Sequence, residues 1–171
     1  MDREWQADTV RLLAALADAW LLEPDGALLA RLAPLPPLSD AIQAADPKQL
    51  AVGYAEIFLQ LVPPYASLFL SDDGMLNSDP AEEILREYVR SGFSIETEWR
   101  AGAADHLGVE LHYLAWLLER SPARAHLFLN RHLLTWAPVC CLAVERSEVE
   151  PLYSASARLT LDVLLALAED N

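Results

Sequence analysis

"ADHLGVELHYLAWLL", residues 104–118, decides how the chain reads. Leu107, Leu111, Leu114 and Leu118 recur at three- and four-residue steps, the spacing of one apolar stripe on an α-helix. The entrance of that helix carries Asp105, His106 and Glu110. Catalysis, metal binding, helix capping and peptide recognition all use such residues. Asp105 stands at or just inside the helix start, where a carboxylate accepts from free backbone N–H groups. His106 and Glu110 sit at i and i+4, so they share a face and are within reach of one another.

A metal needs a third ligand. His112 lies about 240° from His106 around the helix axis, at 100° per residue. His126 and His132 are poorly spaced, and no H-E-x-x-H or Cys/His pattern occurs. No metal and no cofactor are expected. A His–Glu pair would serve a small hydrolase as base and orienter, but nothing marks Ser67 or a cysteine as its nucleophile. Neither a Gly-rich phosphate loop nor G-x-S-x-G is present.

Outward from this stretch, helix signals dominate. The chain has 171 residues, 53% of them hydrophobic, enough for a real core. Leu and Ala prevail, both strong helix formers. Residues 3–22 carry Val10, Leu13, Leu16, Ala17 and Trp20 at helical spacing. Asp25 caps a short helix through about Ala33, and "PLPPLS" reads as a break. Asp46-Pro47 opens a helix to about Leu61. Segment 62–80 has neither helical period nor strand alternation yet is rich in apolar residues. It is either a loop tucked onto the core or the wall of a groove. Asp79 caps the next helix, which Gly92 ends. Residues 94–103 read as a linker. Helices then follow over about 104–120, from Pro122 through His132, over 135–145 with a kink at Pro138, and from Pro151 to about Ala168. The fold class predicted is all-α, a single compact bundle of seven to nine helices over residues 1–171.

The formal net charge is −14, from 26 acidic and 12 basic residues, which repels nucleic acid and attracts a basic peptide. The acidic start "MDREWQAD" is unlike a secretory signal, which needs a basic start and an apolar core. The apolar run "LLTWAPVCCLAV", 133–144, is shorter than the roughly 20 residues a bilayer requires. A cytoplasmic, soluble protein is expected, without stable membrane insertion. Adjacent Cys140 and Cys141 make a poor disulfide pair and read as small buried residues.

These motifs together resemble the TorD/DmsD/NarJ family of chaperones for molybdenum-containing oxidoreductases. Asp105, His106, Glu110 and Leu111 match its Asp-His-x-x-x-Glu-Leu signature, with Ala103-Ala104 where Glu-Pro is usual. Tyr54, Ile57 and Phe58 resemble its Tyr-x-x-Leu-Phe segment. Pro63, Pro64, Tyr65, Ser67, Leu68 and Phe69 resemble its Pro-Pro-aromatic loop. His132, Leu133, Trp136 and Tyr153 resemble its His-Leu-x-x-Trp and later Phe-Tyr positions. The resemblance implies an all-helical fold with no catalytic centre. The implied partners are the leader peptide, often twin-arginine, and the catalytic subunit of a molybdenum-containing oxidoreductase. Some relatives serve clients that are not exported. A monomer or a domain-swapped dimer is implied. The expected peptide-binding residues are Asp105, His106 and Glu110 beside an apolar wall of Tyr65, Ser67, Leu68 and Phe69. The acids suit paired arginines, since guanidinium meets carboxylate in a two-pronged geometry.

Overall fold

The computed structural model describes residues 3–72, 74–76, 78–94 and 104–169. Nine helices occur among them. They are α1 (Arg3–Leu21), α2 (Gly26–Leu32), α3 (Pro36–Ala44), α4 (Pro47–Glu56, continued by a π segment Ile57–Leu61) and α5 (Ala66–Leu70). Then come α6 (Asp79–Ser91), α7 (Leu107–Arg120), α8 (Pro122–Ser147, with a π segment Leu129–Leu133) and α9 (Pro151–Glu169). No strand appears among the described residues; one isolated antiparallel bridge joins Tyr65 and His106.

Helix α7 is the hub. It packs along α1 and against α8, while α9 lies against α8 and α1. The α1–α7 contact is close because of one glycine. A Cβ on Gly108 would stand 2.5 Å from Leu21 Cγ and 2.6 Å from the Ala17 carbonyl oxygen. Around this seam Leu13, Leu16, Trp20, Leu107, Leu111, Tyr113, Leu114 and Phe128 form the main core. A smaller core of Ala19, Leu28, Leu32, Leu38, Leu50 and Leu152 joins α2 and α3 to α9. Tyr54, Phe58 and Tyr153 interlock edge to face between α4 and α9. The Tyr153 hydroxyl donates to the Leu50 carbonyl at 2.7 Å. Asp18 joins α1 to α2 and α7, taking hydrogen bonds from Arg31 and from His112 at 2.9 Å.

Several boundaries differ from expectation. "PLPPLS" does not break the chain: Pro36 and Pro37 occupy the first turn of α3, where a missing N–H costs nothing. Segment 62–80 contains α5. Ser78 takes the N-cap position of α6, so Asp79 is its first helical residue. Gly92 does end α6, with φ of 78°. The helices expected over 122–132 and 135–145 are one 26-residue helix, long and apolar enough by length and composition to cross a membrane. Core helices pass the same test, and this one buries Phe128, Leu133, Trp136, Cys140 and Val144 in the main core. Pro138 lies within it, and a π turn over Leu129–Leu133 precedes it. Most of the expected linker, residues 95–103, lies outside the described residues.

Candidate functional site

Two distant stretches meet at the start of α7. Val62-Pro63-Pro64 stops the π turn of α4 and sends the chain across the α7 entrance. There the Ala66 N–H donates to the Asp105 carbonyl at 2.9 Å, and the Leu107 N–H donates to the Pro64 carbonyl at 2.8 Å. The Asp105 side chain completes the junction. Its Oδ2 accepts from the Ser67 N–H at 2.8 Å and from the Ser67 hydroxyl. Both residues are fully buried. The Tyr88 hydroxyl on α6 donates to the Ala104 carbonyl at 2.9 Å, which ties a third element to the same point.

Asp105 therefore does not cap α7, as its place in the sequence suggests. His106 does: its Nδ1 accepts from the Gly108 N–H at 3.1 Å. The imidazole is buried and packs edge-on against Tyr65, with ring centroids 5.0 Å apart. Burial pushes its pKa down to about 4, so at neutral pH the ring is uncharged and Nδ1 is free to accept. His106 does not pair with Glu110, whose two carboxyl oxygens have no hydrogen-bond partner.

Glu110 is fully buried one turn into α7. Burial raises its pKa well above the usual carboxyl value, and the nearby Asp105 raises it further. The Trp136 indole N–H lies toward it and acts the other way, yet stops short of hydrogen-bond geometry, so that N–H too is unpartnered. Glu110 faces a cavity of about 120 Å³ between α5, α6 and the middle of α8. Ile84 and Leu70 form apolar walls, Trp136 an aromatic one. His132 and Thr135 lie on the α8 side.

Of the sequence-derived candidates, Asp105, His106, Ser67 and Tyr65 come together at the junction, and Glu110 opens into the adjoining cavity. Leu68 and Phe69 are partly buried on α5. Phe69 packs against Trp136 at 5.5 Å. Trp136 and His132 were not expected at the site. Their i, i+4 spacing on one face of α8 is the signal that places them together. Among the described residues no group of three metal-ligating side chains occurs. Cys140 and Cys141 are free and buried.

Comparison with known proteins finds three kinds of likeness. The family model of the nitrate reductase delta subunit matches residues 25–142. The chaperone protein TorD of Vibrio cholerae serotype O1 is 30% identical over 129 residues, covering 66% of this chain and 58% of that protein. TorD of Aliivibrio fischeri is 27% identical over 138 residues, 64% of each chain. The chain thus spans less than two thirds of the length of these relatives. A crystal structure from Archaeoglobus fulgidus, described as a redox enzyme maturation protein, superposes with a TM-score of 0.65 over 96% of both chains at 20% identity. That likeness is one of fold.

Proposed function

Since the chain belongs to the nitrate reductase delta subunit family, which holds the TorD and NarJ chaperones, we propose that it is a cytoplasmic maturation chaperone for a molybdenum-containing oxidoreductase. It acts as one helical unit, without a catalytic centre or resident cofactor, and binds the N-terminal leader of its client's catalytic subunit.

The observation that carries the reading is the Asp105–Ser67 junction. It fixes the 63–70 segment, with Tyr65, Leu68 and Phe69, directly beside the Glu110 cavity. An apolar surface next to a buried acid suits a leader with an arginine pair followed by an apolar stretch. Exposed Leu70, Met75 and Leu76 extend the apolar character of this segment. Asp105, His106 and Ser67 hold the segment in place, and Glu110 is the acid that meets the leader.

Calorimetry with a twin-arginine leader tests this. Binding is expected to weaken with salt without vanishing, because screening acts on charge and not on apolar contact. Tyr65→Ala and Phe69→Ala each lower affinity about tenfold, as for aromatic anchors at interfaces, while circular dichroism stays helical. Failure of both variants to change binding, or of the leader to bind at all, sinks the proposal. Because some relatives in the resembled family serve clients that are not exported, such a client is the second reading. It predicts equal binding of Arg-Arg and Gln-Gln leaders.

A further inference from the structure

The Glu110 cavity is a polar hole in an otherwise apolar setting. A buried carboxyl without partners costs stability, so its retention calls for a cause. About 120 Å³ is well above the roughly 10–15 Å³ that one water needs. Glu110 lines this space with both oxygens unpartnered and no exposed surface. We propose that the cavity receives one guanidinium group, and that Glu110 releases its proton as the group enters. The inference rests on the leader-binding reading for the source of the ligand.

The lining favours this ligand. Leu70 and Ile84 suit the methylene stem of an arginine. Trp136 offers an aromatic surface, and a planar guanidinium uses such surfaces better than an ammonium does. Glu83 adds an acid on the α6 side. Arg131 opposes a cation from α8. It is exposed, where solvent screens its charge, whereas Glu110 is not. The other ionisable groups around Glu110 are Asp105, Tyr88 on α6 and His132 on α8. Helix α5 contributes only uncharged Ala66 and Leu70. On α1, Asp18 faces His112 instead.

The exchange balances simply. The neutral carboxyl becomes a carboxylate, its proton passes to the buffer, and the guanidinium supplies the compensating charge. Affinity for the cation therefore rises as pH rises, by up to tenfold per unit while Glu110 remains protonated in the free protein.

The probe is N-acetyl-arginine amide, titrated into the full chain by NMR with the Trp136 indole N–H as reporter. Calorimetry of the leader in buffers of different ionisation enthalpy counts the proton. The expected result is a saturable shift of the Trp136 signal, stronger at higher pH. Leader binding releases about one proton, a release that Glu110→Gln removes while lowering affinity at least tenfold. Arg131→Gln strengthens the cation and weakens acetate. No saturable shift with the probe, or acetate binding in its place, overturns the inference and marks a water-filled or anion-binding cavity. Leader binding that is normal in Glu110→Gln also overturns it, with the chaperone reading left standing. Probe binding with proton release but no leader binding upholds the cavity's role and removes the chaperone reading.

Discussion

Asp105 and Glu110 lie five positions apart in one short stretch, both fully buried, both acidic. Their hydrogen bonding differs. Asp105 takes two hydrogen bonds from Ser67 on Oδ2, while its Oδ1 has none, and it sits where the 64–66 backbone and the Tyr88 hydroxyl both reach the start of α7. Glu110 takes none and faces open space. The first arrangement offsets part of the cost of burying an acid through one oxygen; the second offsets none of it. One short motif therefore holds an acid bonded into the junction and an acid that faces a cavity.

The largest expected effect tests the structural half. Asp105→Ala leaves the Ser67 N–H and hydroxyl without an acceptor in a buried place. A loss of about 3 kcal/mol is expected in chemical denaturation, since charged hydrogen bonds contribute roughly 1.5–3 kcal/mol each and are not additive. A loss under about 1 kcal/mol would mean the junction is not what holds the 63–70 segment.

Glu110→Gln should act in the opposite sense. Its folded pKa is raised, so the stability it contributes is present below its unfolded pKa and is lost as pH rises. The variant cannot ionise. It should melt higher than the parent at alkaline pH, by on the order of 1 kcal/mol, with the gain shrinking as pH falls towards the carboxyl range. A variant less stable at every pH would place Glu110 with Asp105 among the structural acids.

The smallest effect concerns His106 between them. Its folded pKa of about 4 lies below the unfolded value of 6.5. Its contribution is full above pH 6.5 and is lost as pH falls towards 4, because the unfolded chain then binds the proton first. His106→Asn keeps a good N-cap and removes the titration. The parent should lose under about 1 kcal/mol at pH 6 relative to pH 8, and the variant should not show that part of the loss. An unchanged acid limb would assign the loss to groups other than His106, and Asp18 is not one of them. The hydrogen bonds from His112 and Arg31 outweigh its burial and hold its carboxyl below the usual range. Its own contribution persists above its unfolded pKa and fades only in stronger acid.

Local rules made most of the fold legible. Helical periodicity, Asp25 and Asp46 as caps, Pro47, Pro122 and Pro151 at helix starts and Gly92 at a helix end all act within a turn of the chain. Composition set the helical class, and the grouping of Asp105, His106, Ser67 and Tyr65 followed from motif likeness. What the sequence left open depends on neighbours remote along the chain. Whether Asp105 or His106 caps α7 is settled by Ser67, which reaches Asp105 from α5 and leaves the capping position to the imidazole. The need for glycine at 108 comes from Leu21 and Ala17 on α1. The two helices read over 122–132 and 135–145 are one because a π turn over Leu129–Leu133 carries the helix through the expected gap. The Glu110 cavity is lined from α5, α6, α7 and α8 together, a matter of packing that no local spacing encodes.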